Sequence, residues 1–304
     1  MDKVIEVSGL KKAYGSVQAV NGLDFYTERG KLFAFLGPNG AGKSTTIDIL
    51  CTLLRPDAGE VLLDGHRLGK ADDAIRASIG VVFQDHVLDP LLTVEENIRV
   101  RGGLYPTLRG KLADAVKRAA LAADVTDFLR RPYGKLSGGQ KRRADIARAL
   151  VHTPRVLFLD EPTTGLDPQT RRSVWESIRT LQRETGLTVF LTTHYMEEAA
   201  EADYVVVIDN GMIAARGTPT ALKEEYASDQ LRLTPSDPAG LMAALVEMGV
   251  ATVRMTDVVA VKLGSTLEAL PVLDRVRGFV SGFEVLNGTM DDAFIGITGR
   301  EIRQ

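Results

Sequence analysis

A short apolar segment, a glycine-rich loop and a helix follow one another near the start of this chain, and this order constrains the fold more than any other feature. Residues 32–36 are all apolar and predict a buried strand, and residues 44–54 carry apolar side chains at helical spacing. A strand that leads through a glycine loop directly into a helix is typical of α/β proteins with a parallel sheet. The loop reads Gly37-Pro38-Asn39-Gly40-Ala41-Gly42-Lys43-Ser44-Thr45.

The composition of this loop predicts a phosphate-binding site. Its glycines allow successive backbone N–H groups to turn toward one anion, and the N-terminus of the following helix adds partial positive charge. Lys43 supplies a full positive charge, and the hydroxyl of Ser44 is a suitable ligand for magnesium. A glycine-rich turn beside an exposed lysine is the alternative, but the flanking strand and helix favour a phosphate site.

Two carboxylates follow a second apolar segment. Residues 156–159 are apolar and precede Asp160, Glu161 and Pro162. Ligands of parallel sheets gather at the carboxyl ends of the strands, so Asp160 is placed to hold magnesium and Glu161 to activate a water for attack on a terminal phosphate. A strand that ends in a polar turn is the alternative, and Pro162 supports a turn in either case. The phosphate loop upstream favours the catalytic interpretation.

A third segment, Leu136-Ser137-Gly138-Gly139-Gln140, combines a helix cap with two glycines. Ser137 and Gln140 match a capping box, which predicts that a helix begins after Ser137. The glycines leave backbone N–H groups accessible at the helix start, as a second anion site requires. A well-capped helix without a ligand is the alternative. We expect one face of this helix to be apolar, with Ala144, Ala147, Leu150 and Val151. The basic side chains are expected to be solvated, namely Lys141, Arg142 and Arg143.

Together these three segments resemble the nucleotide-binding subunit of an ATP-binding cassette (ABC) transporter, which is a P-loop NTPase. Further elements of that family occur in the expected order. Tyr14 resembles the aromatic residue that stacks on adenine, and Gln84 resembles the glutamine that senses magnesium and water. Gly165-Leu166-Asp167 resembles the dimer-contact loop, and His194 resembles the switch histidine.

The resemblance implies an ATPase that uses ATP and Mg²⁺ and works as a dimer. Two chains would pair head to tail, with each ATP between the Lys43 loop of one chain and Ser137 of its partner. A homodimer is the simplest assembly, and a heterodimer with a similar chain is the alternative. The implied catalytic residues are Glu161, His194, Lys43 and Gln84, and the implied metal ligands are Ser44, Gln84 and Asp160. The implied nucleotide contacts are Tyr14, residues 37–45, Ser137, Gly138, Gly139, Gln140 and Asp167.

The implied fold is an α/β ATPase core with an antiparallel β subdomain and a helical subdomain at about residues 85–150, all within residues 1–226. Thr93 is a candidate N-cap for a helix of that subdomain. In the family, the segment after the glutamine receives a helix of the membrane subunit, which here points to residues 85–105. The segment 85–105 contains four apolar residues, Val87, Leu88, Leu91 and Leu92. We expect their side chains either to dock the membrane subunit or to pack inside the subdomain.

Composition predicts a soluble, cytoplasmic protein. The 304 residues contain no apolar run of the ~18 residues that a membrane span needs, and the first residues lack the pattern of a signal peptide. The resemblance therefore implies a separate integral membrane permease and a location on the cytoplasmic face of the membrane. The 37 basic and 40 acidic residues give a formal net charge of −3, which predicts no nucleic-acid partner. The single Cys51 excludes an internal disulfide and is expected to be packed in the core.

A second, smaller domain is predicted for residues 229–304. Asn210-Gly211, between two apolar runs, predicts a tight hairpin near the end of the first domain. Six segments follow in the order β-α-β-β-α-β, at residues 231–233, 241–248, 252–255, 258–263, 267–276 and 279–286. This order predicts a ferredoxin-like α+β domain. These segments contain no catalytic pattern, so dimer support or regulation is the expected role.

The C-terminal tail, residues 290–299, resembles the ending of export-type subunits, the daunorubicin-resistance-like (ABC-2) branch that includes drug, lipid and polysaccharide exporters. Together with residues 193–199 it favours export over uptake. A terminal amphipathic helix that docks through Phe294 and Ile295 is the alternative for the tail. For the whole chain, the alternative is a soluble ABC ATPase that acts on a ribosome or nucleic-acid complex. Such proteins usually carry a second cassette or a long insertion, and the sequence shows neither.

Overall fold

The computed structural model describes residues 2–254 and 256–299 and divides into two compact units, Met1–Thr218 and Pro219–Gln304. The sequence places the boundary at residues 226–229. The structure instead assigns the helix Pro219–Tyr226 to the second unit, because this helix packs against the C-terminal helix Met290–Thr298. Met255 and residues 300–304, which the sequence assigns to the second domain, lie outside the described residues.

The first unit contains two sheets. Its strands are β1 (Lys3–Tyr14), β2 (Val17–Glu28), β3 (Leu32–Leu36), β4 (Ala58–Leu63), β5 (His66–Arg67), β6 (Ile79–Val82), β7 (Val156–Asp160), β8 (Thr188–Thr193), β9 (Tyr204–Asp209) and β10 (Met212–Gly217). One sheet is antiparallel, with the order β2-β1-β4-β5. The other has the order β10-β9-β3-β8-β7-β6, and all its strands are parallel except β10. The predicted parallel core and antiparallel subdomain are both confirmed.

Helices cover the parallel sheet and form the helical subdomain. The helices of this unit are α1 (Lys43–Leu50), α2 (Asp72–Ser78), α3 (Val94–Gly103), α4 (Leu112–Ala122), α5 (Gly138–Leu150), α6 (Pro168–Thr185) and α7 (Met196–Ala200). Short 3-10 helices lie at Pro106–Leu108, Thr126–Phe128 and Tyr133–Lys135. Helices α3, α4 and α5 pack on one another. The predicted cap of α3 is confirmed, because Thr93 and Glu96 form a complete capping box.

A cluster of phenylalanine rings joins the two sheets. Phe33 and Phe35 alternate along β3 and therefore point to the same face, where both are buried. The ring centroid of Phe33 lies 5.6 Å from that of Phe25 on β2 and 5.0 Å from that of Phe190 on β8. Aromatic pairs at such distances stabilise a core beyond the apolar area they bury. The cluster fixes β3 and β8, whose carboxyl ends carry the candidate site.

The predicted hairpin and the predicted burial of Cys51 are confirmed. Asp209 pairs with Met212, so Asn210 and Gly211 form a two-residue turn with φ values of 48° and 74°. Positive φ at both positions is what a type I′ turn requires. Cys51 is buried in the apolar core of the first unit.

The described residues of the second unit have the predicted ferredoxin-like order. Its elements are α8 (Pro219–Tyr226), β11 (Asp229–Pro235), α9 (Pro238–Glu247), β12 (Thr252–Arg254), β13 (Val259–Leu263), a 3-10 helix (Thr266–Glu268), α10 (Ala269–Val276), β14 (Val280–Leu286) and α11 (Met290–Thr298). The strands form an antiparallel sheet with the order β12-β13-β11-β14. This order results when two β-α-β units interleave their strands.

Local sequence signals account for the helix ends of the second unit. Asp237 caps α9 by accepting hydrogen bonds from two backbone N–H groups, and Pro238 is the first helical residue. The tail forms α11, in which Phe294 is 2% exposed but Ile295 is 40% exposed, so the helix packs through Phe294, with Met290 and Ala293, and not through Ile295. Within the two described ranges, no helix has both the length and the apolar character that crossing a membrane requires.

Candidate active site

Three parallel strands end side by side at the candidate site. β3 leads into the loop at Gly37, β7 is followed by Glu161, and β8, which lies between them, is followed by His194. A cavity of about 430 Å³ opens at these ends. It is lined by Ala19, Asn39, Gly40, Gly42, Lys43, Ser44, Thr45, Gln84, Glu161, Thr164 and His194. The structure therefore brings together the glycine loop and the residues predicted to be catalytic.

The glycines of the loop are required by close contacts as well as by backbone conformation. Gly40 and Gly42 have φ values of 80° and 105°, which side-chain-bearing residues rarely adopt. A β-carbon at Gly42 would collide with the carbonyl oxygen of Ala19, and the corresponding atom at Gly37 would collide with the backbone of Ile208. Beside Gly40, by contrast, a β-carbon would meet no atom of the described residues within 4 Å. The loop is thus closely packed at Gly37 and Gly42 and open at Gly40, where a site for phosphate groups needs space.

Lys43 is the first residue of α1, and its side chain is only 4% exposed. Its ammonium nitrogen lies 2.8 Å from the carbonyl oxygen of Gly37 and 3.2 Å from that of Pro38. Its third contact is Oε1 of Glu161, at 3.1 Å. Three acceptors match the three N–H bonds of an ammonium group, so the buried charge is fully hydrogen-bonded. This arrangement holds the positive charge at the mouth of the loop.

Glu161 is held in a strained and highly polar position. Its φ is +43°, an uncommon value for a residue with a side chain, and its N–H donates to Thr192. Oε2 of Glu161 lies 3.1 Å from Nδ1 of His194 and 3.2 Å from the hydroxyl of Thr164. Burial acts to raise the pKa of Glu161, but the hydrogen bond from His194 and the charge of Lys43 outweigh burial and lower the pKa to about 2. Glu161 is therefore a carboxylate at neutral pH, as a base must be.

Asp160 fits a magnesium site next to that carboxylate. It is 8% exposed, and the hydroxyl of Thr192 donates to its Oδ1 at 2.5 Å. Burial raises the pKa of Asp160, and the neighbouring charge of Glu161 adds to the rise. The described residues contain no cluster of three or more His, Cys, Asp or Glu side chains that could hold a metal alone. The Asp160 carboxylate and the exposed hydroxyl of Ser44 instead match the small number of protein ligands that Mg²⁺ takes when phosphates complete its shell.

The capping box at Ser137 is confirmed. The Ser137 hydroxyl accepts from the N–H of Gln140, and the Gln140 side chain accepts from the N–H of Ser137. The glycines have an additional role that the sequence does not show. A β-carbon at Gly138 would lie 2.9 Å from Leu166, and one at Gly139 would lie 2.5 Å from Thr170. Both glycines therefore allow the start of α5 to contact the segment that begins α6.

Several predicted nucleotide contacts do not line the cavity in the described part of the chain. Residues 137–140 are among them, although Ser137 and Gly138 are exposed. Tyr14 is 51% exposed at the end of β1, with the Lys12 ammonium 5.9 Å from its ring centroid. Asp167 caps α6 through the N–H of Thr170, and the hydrogen bonds from Thr170 lower its pKa. None of these residues lines the cavity beside the Lys43 loop.

One prediction about the basic residues of α5 is wrong. Arg142, expected to be solvated, is 3% exposed, while the side chain of its neighbour Arg143 is 22% exposed and pairs with Asp124. The guanidinium of Arg142 donates to the carbonyl oxygen of Phe83 at 2.6 Å and to that of Gln84 at 2.9 Å. Helical periodicity could not reveal this, because the acceptors lie on a distant segment of the chain.

Glu198 is a second residue that the sequence reasoning missed. It is 3% exposed and accepts hydrogen bonds from the hydroxyls of Thr163 and Thr193. It therefore ties the segment after Glu161 to the segment that carries His194. Its position two residues after Met196 on α7 gave no distinct signal.

The apolar residues after Gln84 divide between the two roles considered for them. Leu88 is 9% exposed and packs inside, whereas Val87 is 52% exposed and Leu91 is 85% exposed. Leu92 is partly buried. Val87 and Leu91 thus remain as candidates for a docking surface.

Comparison with known proteins agrees with this geometry. Residues 20–164 match the model of the ABC transporter family. The daunorubicin/doxorubicin resistance ATP-binding protein of Streptomyces peucetius is 40% identical over 311 residues, which cover 98% of this chain and 93% of that protein. The chain belongs to the ABC transporter family. Its activity is accordingly ATP hydrolysis that drives transport.

Further relatives support the same assignment. The Nod factor export ATP-binding protein I of Burkholderia orbicola is 39% identical, with 98% of each chain covered. A solved subunit of the cbiONQ ABC transporter complex of Clostridium perfringens has a TM-score of 0.68 at 31% identity and covers 73% of this chain and 91% of its own. A dimeric ATP-binding cassette bound to ADP and phosphate has a TM-score of 0.61 at 29% identity, with 70% and 98% covered. The chain is an ATP-binding subunit of the export branch, which disfavours the ribosomal or nucleic-acid alternative.

Proposed function

We propose that two copies of this chain pair head to tail and hold each ATP between the Lys43 loop of one chain and Ser137, Gly138 and Gly139 of the other. The observation that carries this proposal is the continuous contact of Lys43, Glu161 and His194 at the ends of three parallel strands. The cavity there has a cation, a base and an open glycine loop. The start of α5 does not line this cavity in the same chain.

Each side chain of the site has a role that follows from its position. Lys43 and the N–H groups of residues 37–45 hold the phosphates, and Glu161 accepts a proton from the attacking water. His194 keeps the Glu161 carboxylate oriented through its Nδ1 contact. We assign Tyr14, which is exposed, to stacking on adenine, and Asp167, the N-cap of α6, to the loop that contacts the partner chain.

The residues present fit Mg²⁺, and we assign them to it. Ser44 supplies a hydroxyl and Gln84 a side-chain amide, and both residues line the cavity, whereas the Asp160 carboxylate belongs to the residue before the lining residue Glu161. When bound, the ion would neutralise charge that develops on the β- and γ-phosphate oxygens. Asp160 is kept in place by Thr192, which donates to its carboxylate and accepts from the backbone N–H of Glu161.

The membrane partner is assigned to the exposed side of the helical subdomain. Val87 and Leu91 are exposed on the segment after Gln84, where the family docks its membrane subunit. The chain would then act at the cytoplasmic face of the membrane and drive export through a separate permease. The relatives are described as resistance and export proteins, which supports export. We assign dimer support or regulation to the second unit.

Mixed dimers test whether the ATP site is shared between chains. One chain carries Lys43→Ala and the other Ser137→Arg, with different affinity tags so that mixed dimers can be isolated. These dimers contain one site with an intact loop and an intact partner Ser137, so about half of the wild-type ATPase should return, while each variant alone is inactive.

The matched control places both changes in one chain and pairs it with a wild-type chain. This dimer has no intact shared site, so it should be inactive, although it contains one complete wild-type chain. Activity in the control together with none in the first mixture would show that the site lies within one chain and would refute the proposed assembly.

A further inference from the structure

Strand β6 is an edge strand whose outer carbonyl groups have side-chain partners instead of a strand. It lies at the end of the six-stranded sheet, and among the strands of the described residues it pairs with β7 alone. Alternate residues of a strand direct their carbonyls to the same side, so those of Ile79 and Val81 face away from β7, and Phe83 directly follows the strand. Unpaired edge groups need other partners.

Helix α5 supplies these partners. Nε2 of His152, just after the helix, lies 2.9 Å from the carbonyl oxygen of Ile79, and the guanidinium of Arg148 donates to that of Val81. The guanidinium of Arg142 continues the row onto Phe83 at 2.6 Å. The helix can come this close because a β-carbon at Gly80 would lie only 2.5 Å from the helix backbone.

The last contact of the row reaches the ATP site. The second nitrogen of Arg142 donates to the carbonyl oxygen of Gln84 at 2.9 Å. Gln84 lines the cavity with Lys43 and Glu161. The planar guanidinium of arginine can donate to two successive carbonyl oxygens at once in a fixed geometry, whereas a lysine ammonium acts as a single point charge. Arg142 thus fixes the backbone that carries Gln84 more firmly than a lysine would.

A further ion pair fixes Arg142 and the next residues of the Gln84 segment. Asp145, one turn further along α5 and 2% exposed, lies 3.9 Å from Arg142. Its two oxygens lie 2.6 Å from Nδ1 of His86 and 3.0 Å from the hydroxyl of Tyr133. Residues 83–86 are therefore joined to α5 at both ends of the segment.

The same helix begins at the residue assigned to the partner chain's ATP. Ser137 is the N-cap of α5, and Arg142 follows after little more than one helical turn. We propose that Arg142 is a positioning residue that couples the two ATP sites of the dimer. When Ser137 engages the ATP of the partner chain, Arg142 moves with α5 and sets Gln84 at the chain's own ATP. This inference rests on the head-to-tail assembly proposed above.

A mixed dimer isolates this coupling from binding at the chain's own loop. One chain carries Lys43→Ala, so that its own loop holds no ATP, and an isotopic label distinguishes its peptides. The other carries Glu161→Gln, which holds ATP without turnover against Ser137 of the first chain. Amide hydrogen exchange at residues 83–86 of the labelled chain is then measured with and without ATP.

With Arg142 intact, ATP should slow exchange of residues 83–86 in the labelled chain by about tenfold, within the range typical of coupling between sites. Adding Arg142→Lys to that chain should remove most of this protection. Arg142→Gln, whose amide reaches one carbonyl at most, is the second variant if the lysine chain does not fold. In chains with an intact Lys43 and Glu161, Arg142→Lys should lower kcat with little change in KM for ATP.

Arg148→Lys is the matched control, because Arg148 lies on the same helix and caps the same strand without contacting residues 83 and 84. It should retain the protection at residues 83–86. If Arg142→Lys and Arg148→Lys lost the protection of residues 83–86 equally, Arg142 would have only a structural role and the inference would be overturned. Protection that persists in Arg142→Lys would overturn it as well. A failure of the dimers to form or to bind ATP would instead refute the proposed assembly, so the two failures are distinguishable.

Discussion

The ammonium nitrogen of Lys43 lies 3.1 Å from Oε1 of Glu161, and both side chains are almost completely buried. The residues that we assign as phosphate-binding cation and as base are thus direct partners in this protein. The second oxygen of the same carboxylate contacts Nδ1 of His194. A phosphate group that approaches Lys43 must compete with Glu161 for the ammonium group. Phosphate binding is therefore linked to release of the Glu161 carboxylate from Lys43.

Glu161→Gln should block ATP turnover without weakening ATP binding. Loss of the base should lower kcat by at least about a hundredfold, the usual contribution of a general base. The amide competes less with phosphate for Lys43, so the affinity for ATP should be equal or higher. Turnover and equilibrium ATP binding are the two measurements. Glu197→Gln, next to the site but exposed, is the control, and near-normal hydrolysis by Glu161→Gln would remove Glu161 as the base.

Asp160→Asn should weaken ATP binding only when magnesium is present. The amide can still accept from Thr192, but it lacks the charge that the ion needs, so affinity with Mg²⁺ should fall by about tenfold or more toward that measured with a chelator. ATP titrations with Mg²⁺ and with chelator measure this. Asp48→Asn removes a nearby charge that is not assigned to the metal. An unchanged magnesium dependence in Asp160→Asn would contradict the assignment.

Gly139→Ala should destabilise the first unit by about 1 to 3 kcal/mol, the usual cost of overpacking. The added β-carbon would lie 2.5 Å from Cγ2 of Thr170. Thr170→Ser removes that methyl group and should restore most of the lost free energy of unfolding in the double variant. Urea unfolding of the four proteins in this cycle provides the measurement. If Thr170→Ser gave no recovery, the contact between α5 and α6 would not be the reason for glycine at this position.

The stability of the protein should decrease as the pH falls from about 6.5 to 4 because of His152. Burial lowers the pKa of His152 to about 4, and its ring stacks on Tyr105 with centroids 4.1 Å apart. A histidine whose pKa is lowered by folding stabilises the fold above its unfolded pKa, and this contribution is lost as the ring is protonated. The loss should be on the order of 2 kcal/mol near pH 4.

Urea unfolding of the wild type and of His152→Phe across this pH range measures that loss. Phenylalanine keeps the stacking on Tyr105 but does not titrate. The variant should therefore be less stable at neutral pH, since it leaves the carbonyl oxygen of Ile79 without its partner, and it should show a smaller decrease toward pH 4. Parallel pH profiles would contradict the role of His152.

Features governed by near neighbours could be predicted from the sequence. The capping boxes at Thr93 and Ser137 and the turn at Asn210-Gly211 depend on residues at most three apart, so their chemistry is legible in the chain. The alternating segments of the second unit gave its strand order, because few arrangements of that element order are possible.

Features governed by long-range contacts could not be predicted. Arg142 looks like a surface residue by helical spacing, yet it is buried because its guanidinium donates to the carbonyl oxygens of Phe83 and Gln84, which follow the edge strand β6. Likewise, Gly139 suggested an open anion site, but Thr170 also requires a glycine there. Neither partner is recognisable without the tertiary structure.

The sequence by itself determined the family, the parallel sheet and the identity of the phosphate loop, because each depends on a short, ordered pattern. Only the tertiary structure decided that Lys43 and Glu161 form an ion pair and that Arg142 of α5 donates hydrogen bonds to the backbone at Phe83 and Gln84. The physical reason is that buried charges and edge carbonyls must find hydrogen-bond partners wherever the fold brings them, and sequence distance does not limit that choice.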